Sequence, residues 1–449
     1  MDTHRRAGAD PRLLIVGYHF PPRGGVAAQR LVKFARYLPE FGWQPLVLTP
    51  EAAGEPLLDP ALEAEVGGVE VVRTRMLSFD PAHGWARERG LGGRRRPAAG
   101  PRRSLRAQLR WLLLPDDKVG WVPWALRAGR GLIARRAIRA LLSSSPPATS
   151  HLIALRLHRA TGLPWVADVR DPWTGHPNLY FPTRWHRRWC VGLERAIVRE
   201  ATAVTVTTAA IAADLAARHA TGPDRYVVLP NGYDPDDFAG LARRPHDRLT
   251  LLYAGTFQAY TPGPRRTPVY LLDAVAALVR RHPALRGRLR LVLLGPDPAH
   301  LQPLVATRGL ADVVETPGFA SHRASVQAMV DADVLLLLQG DNETRTIAAK
   351  TFEYLAARRP ILAALPEGEN AAFCRSVGVE PVLAPRDVAG MERLLHRIAL
   401  AGADALPVPP PEVVRRYDRR LVTGRLAALL GDAAALDRPP ALAAGAARA

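Results

Sequence analysis

The sequence predicts an α/β protein that contains two separate parallel sheets. Three observations predict this fold class. Short apolar runs alternate with helical stretches, the alternation occurs twice along the chain, and glycine or proline turns separate the segments. The 449 residues suit two or three domains that each bury a core, and the hydrophobic content of 48% is that of a globular protein.

The first domain opens with a strand, a glycine loop, a helix and a second strand, which together make a βαβ unit. Residues 12–17 are a buried strand, and residues 27–41 form a helix with one apolar face. Gly24 and Gly25 lie in the loop between them, where a helix N-terminus is able to hold an anion. The G-x-G-x-x-G spacing of a dinucleotide site is not present in this loop.

Further strands of this domain are predicted at 69–73, 140–144, 164–169, 203–207 and 226–229, with helices at 124–136, 184–200 and 208–219. His151 lies in a helix after one strand, and Asp168, Arg170 and Asp171 end another. Ligands bind at such carboxyl ends in open α/β sheets. The alternatives are a capping or core role for His151, a structural loop acid at Asp168 and an ion-pair cluster around Arg170.

The second domain begins near residue 249 and repeats the alternation. Its predicted strands are 249–254, 289–294, 314–319 and 332–338, its helices are 269–281 and 321–330, and one final helix covers 412–430 with its apolar residues mostly on one side. The Asn231-Gly232 pair before this domain predicts a tight turn with positive φ.

Residues 343–370 contain the clearest candidate for a functional site. A helix is predicted over 346–358, Pro360 ends it, and a short buried strand follows at 361–365. Lys350 and Glu353 are three residues apart, so they share one face of that helix. The pair is either a site or a surface ion pair that contributes a few tenths of a kcal/mol, roughly.

The composition excludes several classes of protein. Cys190 and Cys374 are far apart and lack metal-ligand spacing, which suits a reducing compartment. No apolar run reaches the roughly 18 residues of a membrane helix, and the N-terminus has no signal-peptide hydrophobic region. The net charge of +19 predicts an anionic partner or reflects an arginine-biased composition. Nucleic acid is not expected, because no zinc-finger spacing, RNP-like strand or basic heptad is present.

Residues 84–110 concentrate this positive charge. Nine arginines meet a single acid, Glu88, with glycine, proline and alanine between them. Trp85 precedes the arginines, and Trp111 and three leucines follow them. The stretch is either a mobile solvated loop or a segment that docks on an anionic membrane surface.

Four phrases give the chain a family resemblance. KTFEYLAARRPILA at 350–363 resembles the donor-site signature of the GT-B glycosyltransferases of family GT4, and PNGYDPDDF at 230–238 resembles the phrase that closes their N-terminal domain. SSSPPATSHLIA and WVADVRDPW resemble one GT4 subgroup found in surface-polysaccharide assembly. The resemblance covers about residues 13–430 and is weak over 78–114.

The resemblance implies two Rossmann-like domains that face a cleft, with a C-terminal helix that returns to the N-terminal domain. The expected boundaries are an acceptor-side domain at 12–235 with its basic loop at 84–110, a donor domain at 248–411, a C-terminal helix at 412–432 and a disordered tail at 437–449.

The resemblance also implies roles for individual residues. Glu353 would accept hydrogen bonds from the nucleotide ribose, while Lys350 and Arg266, with Arg265 as the rival of Arg266, would meet the donor diphosphate near the Gly255 turn. Gly318 and Phe319 would lie beside the nucleobase. Gly24, Gly25 and His151 would face the acceptor or the sugar, and the other acceptor-side candidates are Arg30, Asp168, Arg170 and Asp171.

Two positions depart from the family pattern. An earlier glutamate beside the sugar is replaced here by Arg345, and Glu343 is the nearest acid. The glycine of the turn before Pro360 is replaced by Arg358.

The expected activity is a retaining transfer of a sugar from a nucleotide-sugar donor to a hydroxyl acceptor, a glycan or lipid-linked precursor, with no metal or other cofactor. The alternatives are a GT-B nucleotide-sugar epimerase and a degenerate, non-catalytic binding module. The expected location is the cytoplasm, at the inner face of the plasma membrane if the basic loop contacts it.

Overall fold

A computed structural model of the chain describes residues 10–52, 58–77, 113–176 and 179–436. The chain divides into two compact units. The first comprises the described residues up to Thr207, Ile211–Leu229 and those from Thr423 onward, and the second comprises Thr208–Ala210 and Pro230–Val422. The predicted basic loop at 84–110 and the predicted tail at 437–449 lie outside the described residues.

The first unit contains a seven-stranded parallel sheet in the order β3-β2-β1-β4-β5-β6-β7. Its strands are β1 (Arg12–Val16), β2 (Gln44–Pro50), β3 (Glu70–Thr74), β4 (Ile138–Ser145), β5 (Trp165–Val169), β6 (Ala203–Val206) and β7 (Tyr226–Val228). The strand order reverses between β1 and β4, which is where open α/β sheets bind ligands.

In the described part of the chain, six α-helices accompany this sheet. They are α1 (Val26–Tyr37), α2 (Pro60–Ala64), α3 (Val122–Arg136), α4 (Thr149–Thr161), α5 (Arg184–Glu200) and α6 (Ala209–His219). Helix α4 is the most enclosed of those that flank β4, because it packs against the strand on one side and against α3 and α5 on others. Its buried leucines join a core built around Trp121 and Trp165.

The second unit contains a six-stranded parallel sheet in the order β10-β9-β8-β11-β12-β13. Its strands are β8 (Leu249–Ala254), β9 (Leu289–Leu294), β10 (Val314–Gly318), β11 (Val334–Leu338), β12 (Ile361–Ala364) and β13 (Val382–Leu383). Its helices are α7 (Val269–Arg281), α8 (Pro298–Ala306), α9 (His322–Asp331), α10 (Ala349–Ala356), α11 (Glu369–Ser376), α12 (Val388–Ala401) and α13 (Pro411–Arg415).

The helix predicted over 412–430 is two helices, α13 and α14 (Arg419–Leu436). The break occurs because the chain there pairs with Tyr233. The Tyr233 N–H donates to Tyr417 O at 3.0 Å, and the Arg419 N–H donates to Tyr233 O at 2.9 Å. The prediction of one continuous apolar face was therefore wrong at Leu421, which is 54% exposed.

The Asn231-Gly232 pair serves this same contact. Gly232 is not among the glycines with positive φ, so the predicted turn geometry was wrong. A Cβ atom on Gly232 would lie 2.2 Å from Tyr417 O, which only glycine avoids.

Beyond Val422, helix α14 packs within the first unit. The Trp43 indole Nε1–H donates to Ala427 O at 3.3 Å, and a Cβ on Gly424 would lie 2.8 Å from the Phe41 ring. Within the described ranges, no helix combines the length and the apolar character that crossing a membrane requires.

Candidate functional site

Three glycines line the carboxyl edge of the second sheet. Gly255 follows β8, Gly295 follows β9 and Gly318 ends β10. The Gly255 N–H donates to Leu294 O at 2.9 Å, and the Gly295 N–H donates to Gly318 O at 3.1 Å. A Cβ on Gly295 would lie 2.3 Å from Gly255 O, so the edge accepts no side chain there. The sequence reasoning found Gly255 and Gly318 but missed Gly295, whose position after a strand was the available signal.

Phe319 follows this edge and presents its ring to solvent. The side chain is 61% exposed, directly after Gly318 with its positive φ of +90°. An exposed aromatic ring beside bare backbone is able to stack on a flat ligand group, which is what the resemblance implied for these two residues.

Arg266 and Glu343 form a two-point ion pair in the second unit. Arg266 Nε donates to Glu343 Oε2 at 3.1 Å, and Nη2 donates to Oε1 at 2.5 Å. The Gly340 N–H and the Gln258 side-chain amide also donate to this carboxylate, at 2.8 and 3.1 Å. Burial alone would lower the pKa of Arg266, but the neighbouring Tyr253 and Glu343 raise it, so the guanidinium stays charged.

Arg265 has different surroundings from Arg266. It is exposed and lines a small, solvent-open pocket with Gly263, Thr267 and Asp341. The two neighbouring arginines are thus distinguished by the structure, because Arg266 faces Glu343 and Arg265 does not share that contact. Glu343, predicted as a donor contact, has its carboxylate engaged by Arg266.

Lys350 and Glu353 lie on helix α10 and form a close ion pair. The Lys350 Nζ to Glu353 Oε2 distance is 2.6 Å, and the Glu353 side chain is 5% exposed. The surface-pair alternative is therefore wrong for Glu353. Burial would raise the pKa of this carboxyl, but the charges of Lys350, His322 and Arg419 outweigh that effect and lower it.

Glu353 also retains capacity to accept hydrogen bonds. Lys350 Nζ engages Oε2, and an ionised carboxylate offers about four lone-pair sites in all. The remaining sites make this buried carboxylate suited to a ligand that brings hydroxyl groups.

A buried amide network holds the segment between β11 and α10, and the sequence reasoning missed it. The Asn370 amide donates to Gln339 Oε1 at 3.0 Å, and Thr351 Oγ1 donates to Asn370 Oδ1 at 3.1 Å. All three side chains are buried. They connect the ends of β11, α10 and α11, and so they position the loop that carries Glu343 and Arg345.

The two departures from the family pattern have different structural settings. Arg358 has a φ of +56°, the left-handed conformation that glycine adopts most easily, so its backbone has the geometry of the family's glycine. Arg345 is partly buried, and its carbonyl oxygen accepts a hydrogen bond from Thr208 at 2.7 Å.

Asp168 lies at the centre of a hydrogen-bond cluster in the first unit. Arg30 donates to it from Nε at 3.0 Å and from Nη2 at 2.9 Å, and Ser144 and Thr205 donate at 2.7 and 2.8 Å. Burial would raise the pKa of Asp168, but Arg30 and the hydroxyl donors lower it. Because four donors already engage this fully buried carboxylate, the geometry fits the structural alternative rather than ligand contact.

Arg170 hydrogen-bonds backbone carbonyl groups, and its charge also acts on Asp168 and Asp171. It donates to the carbonyl oxygens of Ser145 at 2.9 Å, Ala27 at 2.7 Å and Pro146 at 3.1 Å. These bonds join the loop after β4 to the first turn of α1. Asp171, next along the chain, is exposed.

The glycine loop before α1 is held by a residue that the sequence reasoning missed. The buried Arg23 donates to Pro50 O at 2.7 Å and to Glu51 O at 2.5 Å, and its guanidinium lies 4.7 Å from the centre of the Tyr18 ring. Gly25 caps α1 with a φ of +91°, which favours glycine, and Gly24 is half-buried beside it.

His151 occupies the first turn of α4 and is buried. Its Nδ1 lies 2.7 Å from Ser143 Oγ, and the Trp165 indole Nε1–H donates to the same oxygen at 2.8 Å. Because the indole can only donate, it uses one lone pair of Ser143 Oγ and leaves the hydroxyl hydrogen and the second lone pair to pair with His151 Nδ1 in either tautomer. Within the described residues, Nε2 has no hydrogen-bond partner.

We expect His151 to stay neutral to unusually low pH. Burial lowers its pKa to about 4, whereas an unfolded histidine titrates near 6.5. The unfolded chain therefore binds the proton first, so this group's contribution to stability is complete above about pH 6.5 and is lost as the pH falls toward 4. Histidine NMR shifts, assigned with a His151→Gln variant, should show no titration of His151 near pH 6.5. A midpoint there would contradict the buried geometry.

Comparisons with known proteins agree with the fold. Residues 24–232 match the family described as "Glycosyl transferase 4-like domain". The D-inositol 3-phosphate glycosyltransferase of Actinosynnema mirum is 32% identical over 230 residues, 47% of this chain and 50% of that protein. That of Streptomyces scabiei is 31% identical over 187 residues, 38% and 40% of the two chains. The chain thus spans half or less of the length of these curated relatives.

Among solved structures, sucrose-phosphate synthase from Thermosynechococcus elongatus has a TM-score of 0.65 at 15% identity and covers 95% of this chain and 100% of its own. HepE from Anabaena, solved with UDP and glucose, has a TM-score of 0.60 at 13% identity, with 94% and 99% coverage. At these identities the likeness concerns the fold.

Three observations agree on the fold: the two parallel sheets, the family match and the structural neighbours. Both sheets carry helices and have Rossmann-like strand orders, as the family resemblance implied. Residues 24–232 match a glycosyl transferase 4-like domain, and the two sheets have the fold of the GT-B glycosyltransferases that are the structural neighbours.

Proposed function

We propose that this protein is a glycosyltransferase that moves a sugar from a nucleotide-sugar donor to a hydroxyl acceptor. The observation that carries the proposal is Glu353, a buried carboxylate that Lys350 keeps ionised and whose remaining lone pairs are able to accept hydrogen bonds from a ligand. The charge of His322 acts on Glu353, and His322 follows Gly318 and Phe319 by a few residues in the sequence. HepE, of the same fold, binds UDP-glucose.

In the proposed reaction, different residues bind the ribose, the nucleobase and the diphosphate of the donor. Glu353 accepts hydrogen bonds from the two ribose hydroxyls, since an ionised carboxylate only accepts and is able to hold both. Phe319 and Gly318 receive the nucleobase. Arg266 and Lys350 meet the negative charge that grows on the diphosphate as it leaves, which is where fixed cations accelerate the reaction most.

We propose that the reaction needs no metal, because these two cations supply the positive charge. Activity that persists in a chelator such as EDTA would support this. The GT4 resemblance further supports retention of the anomeric configuration, and the RDPW and SSSPP phrases support a glycan or lipid-linked precursor of surface polysaccharide as the acceptor.

The proposed location is the cytoplasm, with reversible attachment to the inner face of the plasma membrane. The support is the net charge of +19 and the basic stretch at 84–110 with its flanking tryptophans. Attachment would bring the enzyme to a lipid-linked acceptor.

The experiment is a thermal-shift screen against UDP, GDP, ADP and CMP compounds, followed by turnover assays with the nucleotide sugar that binds. Ligand binding to the native state raises the unfolding midpoint by mass action. Turnover that requires an acceptor would support a transferase. Turnover of the donor without an acceptor would instead support an epimerase, and the absence of any nucleotide shift would contradict both.

A second candidate is a non-catalytic binding module, and Arg345 is the observation that favours it. This arginine stands where the family carries a sugar-contacting glutamate. Such a module would bind the nucleotide sugar in calorimetry but would neither transfer nor hydrolyse it over a long incubation.

Glu353→Gln should weaken donor binding while the fold survives. Losing a charged acceptor for the ribose hydroxyls should cost about 1.5–3 kcal/mol, or roughly ten- to 150-fold in affinity. Isothermal calorimetry with the nucleotide found in the screen measures this. Glu367→Gln, a change of the same kind at an exposed acid of the second unit, is the control. Equal affinity in the two variants would remove Glu353 from the donor site.

A further inference from the structure

Helix α5 and the residues before it expose large apolar side chains. Tyr180 and Trp185 are 62% and 61% exposed, and Leu179 is also exposed. Burying such rings is favourable, so exposed apolar groups that lie together indicate a contact surface more often than scattered ones do.

The same helix carries a row of exposed arginines. Arg184, Arg188, Arg195 and Arg199 are spaced at i, i+4, i+11 and i+15, which places them along one face of a helix. Arg187 is exposed beside this row. Like charges four residues apart destabilise a helix, so the row opposes folding locally.

The acids of α5 do not neutralise this row. Glu194 is buried and pairs with Arg218 and His219, and Glu200 pairs with Arg159 of helix α4. Among the described residues, no acidic side chain lies within ion-pair distance of the arginines at 184, 187, 188 and 195. The positive face is therefore available to an external anion.

Gly192 lies on this face, between Arg188 and Arg195. It is exposed, and a Cβ built on it would have no atom within 4 Å. A glycine in the middle of a helix is less stable than an alanine there. Its missing side chain leaves the helix backbone bare between the two arginines, where an external group is able to approach it.

Helix α5 packs against the core of the first unit through the face opposite the arginine row. Cys190, Leu193, Ile197 and Val198 are buried there, and Trp189 packs against the same core. The outward arginines and Trp185 are thus not needed to hold the helix in place.

We propose that this surface, Leu179–Tyr180 with the outward face of α5, docks on an anionic membrane. The arginines would contact lipid phosphates, while Trp185, Tyr180 and Leu179 would enter the headgroup region, as interfacial aromatic and basic side chains do. A helix face that carries Trp185, with Leu179 and Tyr180 exposed just before the helix, fits a lipid surface better than it fits the grooves of a nucleic acid. The proposal deepens the membrane attachment proposed above and depends on it.

The test is co-sedimentation of the whole chain with vesicles of phosphatidylcholine alone or mixed with phosphatidylglycerol. The surface variant changes Arg184, Arg188 and Arg195 to Gln. The matched control changes Arg323, Arg393 and Arg397 to Gln, which are exposed arginines of the second unit. Three lost contacts should lower the partition coefficient of the surface variant about 100-fold, with the control within a few-fold of wild type. Trp185→Ser should weaken binding while the net charge stays unchanged.

Several outcomes would overturn the assignment. Equal losses in the two triple variants would mean that net charge alone drives sedimentation. Full binding by the surface variant, with loss only when the arginines at 84–110 are changed to Gln, would move the contact to that block. A wild-type chain that ignores anionic vesicles would remove membrane docking altogether. Because sedimentation needs no turnover and the nucleotide thermal shift needs no lipid, failure of the transferase proposal would be seen separately.

Discussion

Replacing Arg266 with alanine is expected to lower turnover about a hundredfold or more. Removing one group that stabilises transition-state charge typically costs that much, and Arg266 is a half-buried, permanently charged guanidinium in the loop that follows β8. Its Glu343 partner keeps hydrogen bonds from Gly340 and Gln258, so the free energy of unfolding should change less than the activation free energy.

Arg265→Ala is the matched control. Arg265 is the next residue in the same loop, but it is exposed and lines a surface pocket instead of pairing with Glu343. Steady-state kinetics with the donor found by thermal shift compares the two variants. If Arg265→Ala loses turnover and Arg266→Ala does not, the assignment within this loop is wrong by one residue. Lys350→Ala should also lose turnover, but it is a poorer test because it leaves the buried Glu353 carboxylate without its ion-pair partner.

Asp168→Ala is expected to destabilise the first unit by about 3–5 kcal/mol. The change leaves the buried Arg30 guanidinium without its carboxylate, and breaking one side of a buried ion pair has a cost of that size. Ser144 and Thr205 lose an acceptor as well. Urea unfolding, followed through the midpoint and slope, measures the loss.

Glu200→Ala provides the control for this prediction. Arg159 also pairs with Glu200 through two short hydrogen bonds, of 2.7 and 2.6 Å, but that pair lies on the surface of the same unit. An exposed pair contributes about 0–1 kcal/mol, so the contrast isolates burial. Similar losses in the two variants would contradict the central role of Asp168.

The contribution of Asp168 to stability should also depend on pH. The pKa of Asp168 is lowered in the folded chain, so its contribution to stability is present above the unfolded pKa of about 3.9 and is lost as the pH falls below it. As the pH falls below 4, the free energy of unfolding should therefore decrease less in an Asp168→Asn variant than in wild type. The difference between the two decreases should equal the contribution of this one carboxylate.

The sequence by itself determined most of the helices and strands and their order. Helices α5 and α7 and strand β9 begin and end where the patterns predicted. This succeeded because apolar periodicity and turn residues act over a few neighbouring positions. Short sequence motifs indicated the family resemblance, and the resemblance in turn indicated Lys350 and Glu353 as site residues. Helices α8 and α12 and strand β13 were not predicted, since α8 holds an internal proline and β13 has only two residues.

Only the tertiary structure decided how the polar side chains are used. It joined Arg266 to Glu343, Gln339 to Asn370 and Arg30 to Asp168, each across a long stretch of chain. It divided the last helix where Tyr233 pairs with the chain around Asp418. It also buried Glu353 and left Trp185 exposed. Burial and long-range pairing depend on which elements pack together, and a local pattern in the sequence does not contain that information.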